Sequence, residues 1–236
     1  MKDEMERLLK NPQELARTQQ DISRWWDNIR ALVHNNINNV VNDYRKLGSL
    51  PLCFQSEHVE EGERIVAGIY TNHNSWVLEF GGGTGAVSAI IQNKLSNPSN
   101  HVVIQPQEGG MFGGLTNLEK NKKSCESSYH IIDHILEPGE GSSLLKLVTK
   151  PFDTIVCDCE GCLAEEYDKN PELFRHITMV QVERDDGNGK DVCESPSKYT
   201  ELLRDSLKLQ RVHIGDGGCP TEVWVKGDRV YNYKLH

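Results

Sequence analysis

The sequence predicts an α/β fold: a doubly wound sheet of seven strands that closes with an antiparallel hairpin, preceded by an N-terminal helical extension. Three observations lead to this prediction. From residue 75 onward, short apolar runs alternate with segments of helix length, which is typical of parallel strands joined by right-handed crossovers. A cluster of glycines follows the first of these runs. The last two runs are joined only by a Gly- and Pro-containing loop, which leaves no room for a helix and predicts a hairpin.

The N-terminal extension is predicted to cover residues 1–55, and the main domain residues 56–236. Within 12–47, apolar residues recur at three- and four-residue steps, which indicates an amphipathic helix. This apolar stripe is expected to pack on the main domain, and the alternative is a homodimer formed through the helix. Residues 51–55 have the composition of a linker, and a short helix is predicted at 57–70.

The main domain is divided into predicted elements in the following order. The five predicted parallel strands are 76–80, 102–104, 130–136, 152–157 and 179–183, and the two hairpin strands are 210–214 and 222–226. The predicted helices between them are 86–95, 115–123, 142–149, 163–175 and 198–207. In such a sheet the carboxyl ends of the parallel strands share one edge, where ligands bind.

Composition excludes several classes of function. The chain of 236 residues has a formal net charge of −9, and an acidic domain repels a phosphate backbone, so a nucleic-acid partner is not expected. The longest apolar runs are only a few residues, far short of the ~20 that a membrane span needs. The first ten residues carry acids and no apolar core, so no secretory signal is expected there.

The seven cysteines are an odd number, and three of them crowd at Cys157, Cys159 and Cys162. This is not the pattern of a secreted disulfide framework, so reduced cysteines and a cytoplasmic location are expected. A C-x-C-x-x-C run suits a structural zinc site, but it lacks a clear second pair of ligands. The alternative, that these cysteines are small buried apolar side chains, is favoured.

The most specific motif is residues 79–85 (EFGGGTG), between a predicted strand and a predicted helix. Glycines let the backbone turn tightly and let a ligand approach closely, and the following helix offers unpaired N–H groups. The motif therefore predicts a nucleotide-type ligand. The candidate binding residues are Glu79, Gly81, Gly83, Thr84 and Gly85.

Two cofactor classes fit this turn. Residues 81–86 satisfy the dinucleotide pattern G-x-G-x-x-A, so an NAD(P)-binding oxidoreductase is one hypothesis. However, a carboxylate at Glu79 would attract an ammonium group and repel a pyrophosphate, and the chain ends in a hairpin. In these features the sequence resembles the class I methyltransferases that use S-adenosylmethionine, over roughly residues 60–226. That resemblance implies a Rossmann-like seven-stranded sheet with a closing hairpin.

A second block narrows the resemblance. Residues 152–161 (FDTIVCDCEG) are similar to the FkbM-type methyltransferases, whose fourth strand ends in D-x-E-G, and 179–183 (MVQVE) resembles their fifth strand. The family methylates hydroxyl oxygens, mostly of sugars and glycosylated metabolites. The resemblance therefore implies an S-adenosylmethionine-dependent O-methyltransferase acting on a sugar or glycan hydroxyl. A non-catalytic binding module with the same fold is the remaining alternative.

The sequence departs from the family at two places. Gln105 ends the second strand, where the family has an acid that binds the ribose; glutamine can hydrogen-bond a diol but carries no charge. Cys162 and Leu163 follow the D-x-E-G segment, where the family commonly has a small residue and then Glu.

The resemblance also implies roles for the acidic residues. Glu79 and the glycines would hold the methionine part of the cofactor, Gln105 its ribose, and Asp158, Glu160 and Glu183 would line the acceptor side. If these carboxylates converge, the pKa of one of them can rise so that it acts as general base, or Mg²⁺ can bind them. In the third alternative, Glu160 only caps the following helix. His134, at the end of the third predicted strand, is the best histidine candidate.

Overall fold

A computed structural model of the chain describes residues 46, 48–54, 61–106, 114–159, 161–184, 198–214 and 221–227. Nearly all of the predicted N-terminal extension lies outside these residues. Its helix, its role in dimerisation and the domain boundary at residue 55 therefore stay predictions.

The described elements alternate in the order that the sequence predicts. The helices are α1 Glu61–Tyr70, α2 Ala86–Lys94, α3 Gly114–Ser124, α4 Gly141–Leu144, α5 Leu163–Lys169, a 3₁₀ helix Pro171–Phe174, and α6 Lys198–Glu201, which continues as a π-helical turn Leu202–Ser206. The strands are β1 Val77–Phe80, β2 His101–Ile104, β3 His130–Ile132, β4 Thr154–Cys157, β5 Met179–Glu183, β6 Leu209–Ile214 and β7 Thr221–Lys226.

The described strands form one seven-stranded sheet in the order β3-β2-β1-β4-β5-β7-β6. Strands β1 to β5 pair in parallel, and β7 runs antiparallel to both β5 and β6. The predicted fold class and its closing hairpin are confirmed. The strand order reverses between β1 and β4, and in open α/β sheets ligands bind outside the carboxyl ends of the strands at such a point.

Three element boundaries differ from the prediction by more than two residues. Strand β3 ends at Ile132 rather than at residue 136, and α4 has four residues instead of eight. The predicted helix 163–175 ends at Lys169, because Pro171 has no N–H to continue the helix and restricts the residue before it. The chain resumes as a 3₁₀ helix that begins at this proline.

Successive residues of each strand point to opposite faces of the sheet. On β1, Leu78 and Phe80 belong to the largest core cluster, whereas Val77 belongs to a second cluster on the other face. The same alternation places Cys157 in the largest cluster and the preceding Val156 in the second one. Asp158, which follows Cys157, therefore belongs to the face that carries Glu79.

Four of the cysteines form two disulfides, Cys53–Cys125 and Cys159–Cys162. The expectation of reduced cysteines is wrong for these four, and the cytoplasmic location, which rested partly on it, stays a prediction. Beside the first disulfide, Phe54 packs on α2, which ties the predicted linker to the domain. None of the described helices has the length and apolar character that crossing a bilayer requires.

The two disulfides should differ in their contribution to stability, because the first closes a chain separation of 72 residues and the second one of 3. We expect Cys125→Ser to lower the free energy of unfolding of the oxidised protein by about 4 kcal/mol, and Cys162→Ser by about 2 kcal/mol or less. Denaturant unfolding of both variants measures the difference. A larger loss for Cys162→Ser would contradict this loop-length argument.

Candidate active site

The glycine loop, residues 81–85, connects the end of β1 to α2 and packs closely against β4. Gly81, Gly83 and Gly85 have φ angles of +83°, +49° and +87°, which side chains rarely allow. A Cβ atom at Gly81 would overlap the backbone carbonyl oxygen of Asp158. The loop can therefore lie beside the end of β4 only because this position is glycine.

Gln105 follows β2 and touches the glycine loop directly. Its side chain is buried, and its Oε1 accepts a hydrogen bond from the backbone N–H of Gly83 at 2.7 Å. The residue that was expected to meet a ribose thus also holds the loop in place. Contact with a ribose stays a prediction.

Glu79 is buried under the loop, with only 2% of its surface exposed. Ser88 on α2 donates its hydroxyl to both carboxylate oxygens, at 2.9 and 2.8 Å, and His101 Nε2 lies 2.8 Å from Oε2. These two partners were not predicted. The structure shows this carboxylate held by neighbouring side chains, and its expected contact with the ammonium group of a ligand stays a prediction.

A chain of hydrogen bonds determines the tautomer of His101. The Oε1 atom of Gln92 accepts a hydrogen bond from the backbone N–H of Ser128 at 2.9 Å, which identifies the other end of the amide, Nε2, as the donor. This Nε2 donates to the carbonyl oxygen of Pro98 at 2.9 Å and to Nδ1 of His101 at 3.1 Å. Because Nδ1 accepts, the ring hydrogen lies on Nε2 and is donated to Glu79. The Glu79 carboxylate is thereby oriented by a network that spans β1, α2 and β2.

Tyr129 covers the other side of this network, with its ring centroid 5.3 Å from that of His101. Burial, and then the Glu79 carboxylate, raises the pKa of the Tyr129 hydroxyl. Tyr129 therefore stays neutral and adds no second negative charge beside Glu79.

The structure brings Asp158 and Glu183 together at the carboxyl edge, as predicted from their positions at strand ends. Cys157 of β4 pairs with Val182 of β5, so the next residues on each strand are neighbours. One carboxylate oxygen from each lies within 4.8 Å of the other and of one from Glu63. All three carboxylates line a cleft with Gly81 and other residues, namely Glu79, Val87, Val156, Cys157, Gln181 and Thr221.

Glu63 was missed in the sequence analysis. It lies in the first turn of α1, where an acid is usually explained by the helix dipole. Only the packing of α1 against this face of the sheet shows that its carboxylate meets Asp158 and Glu183. Three carboxylates this close repel one another.

Of the two other predicted catalytic residues, the structure describes only His134, and His134 is not part of this group. Glu160 lies outside the described residues, and its role stays a prediction. His134 lies two residues after β3, and its side chain is 55% exposed. Two strands separate β3 from β4, so His134 is roughly 14 Å from the end of β4 across the sheet. A hydrogen bond to Asp133, with the help of Glu140, raises the pKa of His134, which favours its protonated form.

Comparison with known proteins identifies the fold. No protein-family model and no curated protein sequence matches the chain. An O-methyltransferase from Bacillus cereus in complex with S-adenosylhomocysteine is 15% identical, with 81% of this chain and 91% of that chain covered and a TM-score of 0.51. Precorrin-6y C5,15-methyltransferase from Geobacter metallireducens is 13% identical, with 76% of this chain and 93% of that chain covered and a TM-score of 0.50. Cofactor-bound Rv0187 from MTB is 14% identical, with 79% of this chain and 88% of that chain covered and a TM-score of 0.50. The chain therefore has the fold of the class I S-adenosylmethionine-dependent methyltransferases.

The close packing of the glycine loop generates a stability prediction. We expect Gly81→Ala to lower the free energy of unfolding by about 3 kcal/mol or more, because the new Cβ overlaps the Asp158 carbonyl at a positive φ. Gly62→Ala on α1 is the matched control: a Cβ there meets nothing within 4 Å, so stability should stay within about 1 kcal/mol of the parent or rise. Thermal and denaturant unfolding measure both, and equal effects would contradict the packing argument.

Proposed function

We propose that the chain is an S-adenosylmethionine-dependent O-methyltransferase of the FkbM type that methylates a hydroxyl of a sugar or glycan. The observation that carries the proposal is the meeting of two features at the point where the strand order reverses. These are the E-x-G-x-G-x-G loop after β1 and the carboxylates of Asp158 and Glu183 after β4 and β5.

The loop residues fit the cofactor. Gly81 and Gly85 take positive φ angles, so the turn presents backbone rather than side chains to a ligand. The hydroxyl oxygen of Thr84 is buried and has no hydrogen-bond partner among the described atoms, which suits a loop that completes its contacts on binding. We assign the methionine part to this loop and the ribose to Gln105. When bound, S-adenosylmethionine supplies an electrophilic methyl group.

We place the hydroxyl that accepts the methyl group beside the carboxylates. A sugar hydroxyl is a weak nucleophile at neutral pH, so a base must take its proton as its oxygen attacks. We assign this role to Asp158, which lies beside the glycine loop at Gly81 and is half-buried. Glu183 and Glu63 then accept hydrogen bonds from other hydroxyls of the sugar and so orient the acceptor, which is the positioning that a displacement at a methyl carbon requires.

The choice of a sugar or glycan acceptor rests on the resemblance of residues 152–161 and 179–183 to the FkbM-type methyltransferases. The carboxylates of Asp158, Glu183 and Glu63 are hydrogen-bond acceptors that sugar hydroxyls can meet. The similar structures include both an O-methyltransferase and a precorrin methyltransferase, so the fold itself is compatible with more than one acceptor.

Cofactor choice can be tested without knowing the acceptor. At 100 times its dissociation constant, S-adenosylhomocysteine should stabilise the native protein by ~2.7 kcal/mol and raise the melting temperature by about 5–10 °C. NAD at the same concentration should not. Gly83→Val should abolish the shift because its side chain fills the ligand space, while Gly62→Ala should retain it. Equal shifts with both ligands would remove the basis for the cofactor assignment, and a shift with NAD alone would favour the oxidoreductase hypothesis.

The role of Asp158 can be tested once an acceptor is found by mass spectrometry of the protein with S-adenosylmethionine and a panel of glycosides. We expect Asp158→Asn to lower turnover by ~10²-fold or more, with turnover of the parent insensitive to EDTA. Asp133→Asn, on the exposed loop after β3, is the control and should keep full turnover.

The other outcomes decide between the remaining hypotheses. If EDTA abolishes turnover and Mg²⁺ restores it, a metal bound by Asp158, Glu183 and Glu63 activates the hydroxyl instead. If Asp158→Asn, Glu160→Gln and Glu183→Gln all keep normal turnover, both carboxylate mechanisms are wrong. Cofactor binding without transfer to any acceptor would favour a binding module.

A further inference from the structure

Three cysteine sulfurs meet where β4 ends and α5 begins, and the proposed methyl transfer uses none of them. Cys157 Sγ lies 3.2 Å from Cys159 Sγ, and Cys159 is bonded to Cys162. All three sulfurs lie within 4.8 Å of one another. We refer to these residues as the three-cysteine cluster.

Backbone geometry, and not the disulfide alone, holds the cluster together. Alternation along the strand places Cys157 and Cys159 on one face of the sheet. The backbone N–H of Cys162 donates to the carbonyl oxygen of Cys159 at 3.2 Å, which closes a turn, and Gly161 supplies a φ of +86° within it. Because the turn and the strand do not depend on the S–S bond, the sulfurs should stay close when that bond is reduced.

We propose that the reduced three-cysteine cluster binds one thiophilic divalent metal ion of the Zn²⁺ class. A dithiol reductant transfers two electrons and two protons to the Cys159–Cys162 disulfide and is itself oxidised to a disulfide. The two resulting thiols and the thiol of Cys157 then release their protons as the ion binds three thiolates. In the oxidised state the disulfide blocks the site.

The distances suit this ligand set. Two sulfurs bound at ~2.3 Å to one tetrahedral ion are roughly 3.8 Å apart, so the 3.2 Å Cys157–Cys159 pair needs to open by only a few tenths of an ångström. The Cys159 and Cys162 sulfurs are bonded to each other, so they must move further apart after reduction. Cys157 is buried in the largest core cluster, while Cys159 and Cys162 are half-buried against it, so an ion can reach the cluster from the side of these two residues.

The donor atoms also determine which ion binds. Thiolates favour Zn²⁺ and Cd²⁺ over Mg²⁺, whereas carboxylates favour the hard ions. Alternation at the end of β4 places the sulfurs on one face of the sheet and the Asp158 carboxylate on the other, so the two groups do not combine into one mixed site. Binding of Cd²⁺ that Mg²⁺ does not displace therefore distinguishes this cluster from the carboxylates of the proposed function.

The test uses the full chain and Cd²⁺ as the probe. The protein is reduced with a phosphine, desalted without oxygen and titrated while the thiolate-to-metal charge-transfer absorption is followed. We expect one equivalent to bind more tightly than about 1 μM, and the oxidised protein to bind none. Cys157→Ala, Cys159→Ala and Cys162→Ala should each weaken binding by about 100-fold or more, and excess Mg²⁺ should not compete.

Cys53→Ala and Cys125→Ala are the matched controls, since each removes a cysteine outside the cluster, and both should bind Cd²⁺ like the parent. Circular dichroism confirms that each variant is folded. If the buried Cys157→Ala does not fold, the half-buried Cys162→Ala decides. The proposal is overturned if the reduced chain binds no Cd²⁺ in this range, or if the control variants lose as much affinity as the cluster variants.

Discussion

The buried carboxylate of Glu79 is the constraint on which the rest of the site depends. A charge without partners in a sheet interior costs several kcal/mol, so it must be hydrogen-bonded from more than one side. Ser88 supplies one side from α2 and His101 the other from β2. The same contacts that stabilise the charge thereby position the helix and the strand on either side of the glycine loop.

Strand register and the alternation of side chains determine which residues meet at the carboxyl edge of the sheet. Phe80 of β1 pairs with Cys157 of β4, and Cys157 pairs with Val182 of β5, so the three strands end at the same level. The residues that follow therefore meet: the glycine loop after β1, Asp158 after β4 and, at the end of β5, Glu183. Alternation then assigns carboxylates to one face and sulfurs to the other, which keeps two different chemistries apart within a few residues.

The sequence analysis was most reliable where a local pattern has one physical solution. The glycine run between a buried strand and a helix can be satisfied by few other structures, and the final two strands had no room for a helix between them. Boundaries were less reliable: the predicted helix 163–175 was drawn through Pro171, although the ring ends a helix there. The odd number of cysteines led to the wrong expectation that Cys53 and Cys125 are reduced, because their spacing in the sequence does not show that they are close in space.

The sequence by itself determined the order of the elements, the sheet with its closing hairpin, the glycine loop and the positions of Asp158 and Glu183 at strand ends, because hydrophobic periodicity and turn chemistry are local properties. Only the tertiary structure decided the partners of these residues. Glu63 reaches the carboxylates, His101 reaches Glu79, and His134 lies apart at the sheet edge. These contacts depend on strand order and on how helices pack across the sheet, and residues far apart in the chain carry no local signal of either.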